Sequence, residues 1–217
     1  MKIGPPHLSR HLQPTEDAAR LIAASTEEME ELLFSHQMIE EIRKPKLSFS
    51  SCCFENCTFV QCSFTHARFC DVIFRNCDLS NMILTECHFS RVEFVNCKLM
   101  GTNFTGSHFN QFLFSQVQAI YSIYSTSRFY HVSWQNSHLK GSAIDECKLE
   151  DTQFEKCNLR EAELYQTPLK GMDLTTCQIE GIRVSGTELK GCRVTSFQAI
   201  GGRKINVIFV GFEIIPS

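Results

Sequence analysis

Large apolar residues recur at every fifth position along most of the chain. The series runs from Phe49 to Val194 without insertion or deletion, and among its thirty positions only Ala119 is small. A helix repeats every 3.6 residues and a strand every 2, so neither keeps each fifth residue on one side. The pattern therefore predicts a chain that turns a corner about every five residues.

A second inward position lies two residues before each large residue. It holds Cys, Ala, Ser, Thr or Val interchangeably, and ten of the twelve cysteines occupy it. The residues immediately before and after the large one are mostly polar. We therefore expect two residues in every five to point inwards and the other three to face water.

This pattern resembles the pentapeptide-repeat family, whose consensus is a small residue, Asp or Asn, Leu or Phe, and two polar residues. "CDLSN", "TNFTG" and "CNLRE" are good copies, and the resemblance covers roughly residues 47–197. It implies an all-β solenoid, a right-handed quadrilateral β-helix with four pentapeptides in each coil. Columns at a period of twenty agree with this fold, because one of them reads Phe54, Phe74, Phe94, Phe114, Trp134, Phe154, Leu174, Val194.

The cysteines have three readings: core packing, disulfides or a metal site. Cys57, Cys77 and Cys97 are predicted to form one vertical ladder, which offers no point where four zinc ligands converge. Their spacing suits a disulfide, but the chain lacks a signal-peptide pattern, and in the cytoplasm thiols stay reduced. Packing is favoured, and no metal or other cofactor is expected. Cys53 and Cys70 lie off the inward position and are candidates for surface reactivity.

Both ends of the chain fall outside the repeat. Residues 1–46 are predicted to form a helical cap, with a capping box from Ser25 to Glu28, and a role in partner binding or dimerisation is the alternative. Residues 198–217 are predicted to cover the last coil as a strand or short helix, or to form a homodimer interface as in dimeric relatives. The candidate residues for this cap or interface are Ile205, Val207, Phe209, Phe212 and Ile214.

The middle of the repeat departs from the consensus. Five outward positions there carry large apolar or aromatic residues, and exposed apolar patches usually mark a contact surface. The alternative is a local repacking around Phe112 and Ala119, with Ile120 turned inward. The candidate partner surface consists of Leu113, Ile120, Tyr121, Ile123 and Tyr130.

Charge and motifs argue against several classes of function. The net charge is −3 and no long block of one sign occurs, so neither nucleic acid nor a membrane is expected as a direct partner. No phosphate-binding loop, nucleophile elbow or zinc-protease motif is present, and the histidines within the repeat occupy outward positions. The sequence therefore predicts a protein that is not an enzyme.

Two functions stay open. Pentapeptide-repeat proteins of the Qnr, mycobacterial and albicidin-resistance types resemble duplex DNA and protect DNA gyrase or topoisomerase IV from inhibitors such as quinolones. The segment from Leu174 to Ala199 is similar to the C-terminal coils of Qnr-type proteins, which also close with an aromatic-Gln-Ala element. From residue 146 to 196, however, nine acidic residues stand against seven basic ones, a poor match to DNA. The alternative is a scaffold or regulatory protein with an unrelated protein partner.

Overall fold

The computed structural model describes residues 3–26, 28–201 and 213–215. The chain forms a parallel β-solenoid in which residue i pairs with residue i+20 in every long strand, so the twenty-residue coil is confirmed. The longer strands are β5 (Ser48–Glu55), β7 (Arg68–Arg75), β8 (His88–Val95), β9 (His108–Ser115), β10 (Arg128–Gln135) and β11 (Lys148–Glu155), and β6 (Thr58–Val60) is shorter. No helix of the described part is long and apolar enough to cross a membrane.

Corners divide each coil into four faces. In the coil of residues 47–66 the corner residues are Ser51, Asn56, Gln61 and His66, with φ of 51°, 54°, 53° and 54°. This left-handed backbone is costly for residues other than glycine, and it recurs every five residues from Glu31 to Gly191, except at Thr176. Faces 1, 2, 3 and 4 are residues 47–51, 52–56, 57–61 and 62–66, together with their equivalents at steps of twenty.

The large inward residues form stacked columns, as predicted. Phe54 lies between Phe34 and Phe74, with ring centroids 4.4 Å and 4.7 Å away, and both pairs are nearly parallel. Phe114 and Trp134 stack at 3.5 Å. The equivalent residues of the two adjacent coils therefore cover each ring above and below. Burial of the rings depends on neighbouring coils rather than on one coil alone.

Where the small inward position holds Cys, Ser or Thr, the side chain in most cases donates a hydrogen bond to a backbone carbonyl of the preceding coil. The Sγ of Cys77 donates to the carbonyl of Phe54 at 3.4 Å, and the Oγ1 of Thr102 donates to that of Leu79 at 2.7 Å. Ser107 makes the equivalent bond to Leu84 at 2.9 Å. Because thiol and hydroxyl satisfy the same carbonyl from the same place, Cys, Ser and Thr replace one another there.

All twelve cysteines are free, and among the described residues no group of metal-ligating side chains converges on a point. Burial raises the pKa of Cys52 to about 11 and that of Cys87 to about 12, so neither forms a thiolate readily. The expected surface reactivity of Cys53 is wrong, because Cys53 is only 5% exposed. Cys70 is partly exposed, but burial, and then the adjacent Asp71, raise its pKa.

The departures in the middle leave the register intact. Phe112 and Ala119 are both fully buried, and the Phe112 ring packs 4.3 Å from that of Phe114. Compared with the repeat consensus, the coil therefore has a larger inward side chain at position 112 and a smaller one at position 119. Ile120 does not turn inward, and its side chain stays partly exposed on face 3. Tyr124, in the same coil, buries a hydroxyl that has no hydrogen-bond partner.

The N-terminal cap is only partly helical. Helix α1 (Ala18–Ala24) is present, but β2 (Met29–Glu30), β3 (Leu32–Ser35) and β4 (Met38–Glu40) replace the predicted second helix. They pair with the coil that follows, so the repeat starts about one coil earlier than the sequence predicts. The predicted capping box is also wrong, because Ser25 is the C-cap of α1.

Lys44 explains why the sequence places the start of the repeat one coil too late. It occupies the large position of the first coil, where the repeat would place an apolar residue. Its Nζ instead donates to the carbonyls of Ile22, Ala23 and Ser25 at the end of α1. These carbonyls have no partner within the helix, so Lys44 joins the helical cap to the first coil.

An N-terminal arm precedes α1 and follows the corner between faces 1 and 2. The backbone N–H of His7 donates to Asp71 at 2.9 Å, and that of Ser9 donates to the Oγ of Ser51 at 2.8 Å. Strand β1 (Gln13–Pro14) then pairs with β3. The arm thus crosses successive coils along a single corner.

The C-terminal end is closed by a side chain. After a 3-10 turn (Thr187–Leu189) and β12 (Arg193–Thr195), helix α2 (Ser196–Gly201) begins. The Nε2 of Gln198 donates to the carbonyls of Leu174 and Cys177 at 2.8 and 2.7 Å, and its Oε1 accepts from Thr195 N–H. Strand β13 (Glu213–Ile215) pairs with β12 at the same offset of twenty residues.

We expect the native protein to hold its thiols out of reach of an aromatic disulfide reagent at about pH 8. Cys70 alone should react, and slowly, while all twelve cysteines should react after denaturation. Absorbance of the released thiolate measures this, with Cys70→Ser as the control. Rapid reaction of several thiols in native Cys70→Ser would contradict the packing role.

Candidate interaction surfaces

Outward side chains are also arranged in columns, with neighbours one coil apart. In several of these columns an acidic and a basic residue one coil apart form an ion pair, as Glu55 does with Arg75 at 3.5 Å and Asp78 with Lys98 at 3.5 Å. Opposite charges on adjacent strands stabilise a sheet modestly. Further pairs are Asp71–Arg91, Lys140–Glu161, Arg160–Glu180, Glu163–Arg183 and Asp173–Arg193.

The most buried of these pairs joins Asp71 to Arg91. The Nε and Nη2 of Arg91 each donate to a carboxylate oxygen at 2.6 Å, and the side chains are 12% and 31% exposed. Burial of Asp71 opposes ionisation, but the bonds from Arg91 and from the backbone N–H of His7 outweigh it and lower the pKa of Asp71. This carboxylate therefore holds the N-terminal arm against the solenoid.

Asp71→Asn should lower the free energy of unfolding by about 1–3 kcal/mol, because Arg91 loses its charged acceptor. Since the pKa of Asp71 is lowered by folding, its stabilising contribution is present above about pH 4 and is lost as the pH falls through the folded-state pKa. The difference in free energy of urea unfolding between wild type and Asp71→Asn should therefore disappear at low pH.

Asp151→Asn is the matched control, since Asp151 lies in the same corner column and its side chain is 64% exposed. An equal loss in both variants, or a gap that persists at low pH, would contradict this role of Asp71. Hydrogen exchange of the arm amides should accelerate only in Asp71→Asn.

An apolar corner lies where faces 3 and 4 meet. It consists of Ile83, Met100, Ile120, Tyr121 and Ile123, of which Ile83, Met100 and Tyr121 are 43%, 46% and 61% exposed. Met100 and Ile120 are neighbours in one column of face 3, and Ile83 and Ile123 share a column of face 4 with Asn103 between them. The sequence analysis missed Ile83 and Met100, because neighbours on this surface are twenty residues apart.

Tyr121 lies at the corner itself, with φ of 56°, and its ring covers Gly141 of the next coil. A Cβ on Gly141 would stand 2.5 Å from Cε1 of Tyr121 and 2.7 Å from Cδ1. The glycine therefore provides the space in which the tyrosine ring lies along the corner. A side chain at position 141 would have to displace it.

The remaining two residues of the predicted partner surface lie elsewhere. Leu113 projects from face 2 and Tyr130 from face 1, where its ring lies 4.0 Å from that of His131. The five predicted residues are thus distributed over different sides of the solenoid. Only Ile120, Tyr121 and Ile123 are brought together.

A cationic row runs along face 1 beside the corner with face 4. Arg68, His88, His108, Arg128 and Lys148 pair in register through five successive coils. The rings of His88 and His108 are 4.8 Å apart. Partial burial, and then the charges of His88 and Arg128, lower the pKa of His108. No acidic residue interrupts this column.

Other histidines have individual partners. His66 lies 3.4 Å from Glu86, and His131 lies 3.4 Å from Asp151. A depression of about 630 Å³ includes His131 and Asp151 but is open to solvent. These pairs do not converge with a third catalytic or metal-binding group in the described part of the chain.

Four of the C-terminal candidates, Ile205, Val207, Phe209 and Phe212, lie outside the described residues. Ile214 is in β13 and is 57% exposed, so it is not buried by a cap within the chain. Phe197, at the start of α2, is 76% exposed. Homodimerisation through this end stays a prediction.

Comparison with known families agrees with this geometry. A family model described as "Pentapeptide repeat region" matches residues 47–123 and 67–144, and one for "Pentapeptide repeats (8 copies)" matches residues 137–175. Together these matches cover more than half of the chain. The chain belongs to the pentapeptide-repeat proteins.

Comparison with solved structures finds similarity at low identity. A trypsin-treated QnrB1, described as a plasmid-mediated fluoroquinolone resistance protein, is 14% identical, with a TM-score of 0.45 over 87% of this chain and 92% of that one. HetL from the cyanobacterium Nostoc sp. strain PCC 7120, described as involved in heterocyst differentiation regulation, is 12% identical, with a TM-score of 0.27 over 76% and 88%. No curated protein sequence matches the chain.

Proposed function

We propose that this pentapeptide-repeat protein is a non-enzymatic interaction rod that binds a protein partner through face 4 and the apolar corner. The observation that carries this proposal is the clustering of Ile83, Met100, Ile120, Tyr121 and Ile123 on one edge of an otherwise polar rod. Aromatic residues and methionine are enriched at the centres of protein interfaces. Contiguous apolar surface of this kind is typical of a contact site.

Face 4 extends the apolar corner into a broader surface. The outward positions between its corners, in the coils from 62 to 126, are Ser63, Thr65, Ile83, Thr85, Asn103, Thr105, Ile123 and Ser125, all uncharged, while His66 and Glu86 lie at the corner with face 1. A surface of hydroxyl and aliphatic groups loses less hydration free energy on burial than a charged one. Face 4 can therefore be covered by a partner at low cost, whereas faces 1 and 2 carry charged residues.

A photo-crosslinking amino acid at position 121 tests this assignment in living cells. We expect a discrete adduct from position 121 and none from position 135, because Gln135 lies on face 2, opposite face 4. Ile120→Ser/Ile123→Ser should reduce the adduct about tenfold, since it removes two apolar contacts at the corner.

Val95→Ser/Leu113→Ser is the matched control, because it makes two apolar-to-polar changes on face 2. It should leave the adduct unchanged, and circular dichroism should show both double variants folded. Equal crosslinking from positions 121 and 135, or an adduct that survives Ile120→Ser/Ile123→Ser, would overturn the proposal.

The charge distribution favours a partner other than a type II topoisomerase. Mimicry of DNA needs a continuous negative face, since duplex DNA carries one charge per ~1.7 Å of its axis. Here seven of the fifteen acidic residues between residues 47 and 196 form ion pairs with a Lys or Arg one coil away, as in Asp78–Lys98 and Glu163–Arg183, so the negative charge is interrupted. A row of cations also occupies face 1.

We therefore expect the protein to give DNA gyrase no protection from a quinolone. A supercoiling assay, titrated with protein to a large excess over enzyme, measures this directly. Restoration of supercoiling in the presence of the drug would contradict this expectation and favour topoisomerase binding. Inhibition of supercoiling without the drug would do the same.

A further inference from the structure

No other column of the described solenoid holds five basic side chains in succession. Between residues 68 and 167 there are nine Lys and Arg residues. Six of them form ion pairs, namely Arg75, Arg91, Lys98, Lys140, Lys156 and Arg160. The three without an acidic partner in this described stretch, Arg68, Arg128 and Lys148, all belong to the row.

Such a row is unfavourable for the isolated protein. Like charges opposite each other on adjacent strands destabilise a sheet, and the permanently charged Arg128 and Lys148 are such neighbours, about 4.8 Å apart. Lys140 and Arg160 are also neighbours in one column, but each has an acidic partner, whereas Arg128 and Lys148 have none in this described stretch. A ligand that supplies negative charge would remove this cost.

We propose that the cationic row binds an acidic polypeptide segment, and that this segment belongs to the protein partner which docks on face 4. The assignment of the segment to the face 4 partner rests on the proposed function, whereas the binding of an acidic segment to the row does not. The five side chains span four coil steps, about 19 Å. A helix of about 13 residues covers this length and presents a side chain to one face every 5.4 Å.

An acidic polypeptide fits better than nucleic acid or an anionic membrane. The protein carries a net charge of −3, so an extended polyanion would be repelled by much of the remaining surface. A short acidic segment meets only the row. The row also borders face 4, so one partner can reach both the row and the apolar corner across that face, passing His66 and Glu86 at the corner with face 1.

The histidines make this binding depend on pH. The groups facing them are Arg68, Arg128 and Lys148 within the row, and Lys46, His66 and Glu86, which line one depression with Arg68 and His88. Glu86 is already close to His66. An acidic segment would favour the charged imidazoles of His88 and His108, so its affinity should rise as the pH falls from about 8 to about 6.

The test uses the full chain and a fluorescent, glutamate-rich peptide of about 13 residues, with binding measured by anisotropy. Arg68→Gln/Arg128→Gln/Lys148→Gln should weaken binding at least about tenfold. Arg75→Gln/Lys98→Gln/Arg160→Gln removes the same charge from paired sites and should change it less than about twofold. In His88→Gln/His108→Gln the gain in affinity at low pH should disappear.

Three outcomes would overturn the proposal. The first is that the peptide does not bind, and the second is that both triple variants lose the same affinity for it. The third is that a DNA duplex or phosphatidylserine vesicles bind more tightly than the peptide, and that Arg68→Gln/Arg128→Gln/Lys148→Gln abolishes this binding. This experiment needs no partner and no intact apolar corner, so its result is independent of the crosslinking at position 121. A positive peptide result with a failed crosslink would leave the row as a binding site and remove its link to face 4.

Discussion

Backbone hydrogen bonding between adjacent coils is the constraint on which the solenoid depends. Twenty-five described residues other than glycine adopt positive φ at the corners, a conformation that costs each about 1 kcal/mol. The corners bring the backbone into line with the next coil, where bonds such as Phe59 N–H to Asp78 carbonyl at 2.8 Å form. One added or missing residue would turn large side chains outwards through a whole coil, which explains why the register tolerates Phe112 and Ala119 but no insertion.

The sequence predicts the interior well because the interior repeats locally. Each pentapeptide carries its own large and small inward residues, so the architecture can be inferred without long-range information. The first coil was missed because Lys44 replaces an apolar residue there and serves α1 instead. The glutamates of residues 25–41 are also typical of a helix. Only the pairing of Phe34 with Phe54 shows that the segment contains a strand.

The surfaces were harder to predict, because their residues meet only across coils. Met100 and Ile120 are adjacent on face 3, although twenty residues separate them, while Ile120 and Tyr130 lie on different sides. The same holds for charge. A count of acidic and basic residues shows a near balance, but only the register distinguishes columns of ion pairs from a column of cations. The first kind supports the fold, and the second kind is left for an external ligand.

The position of Gln198 has a consequence for assembly. The end of a solenoid resembles the surface on which each new coil forms, so an open end can template the addition of another molecule. By bonding the carbonyls of Leu174 and Cys177, Gln198 blocks two of the acceptors that such growth would use. A single side-chain amide thus removes two acceptors from such growth, and β13 continues the pairing beyond them.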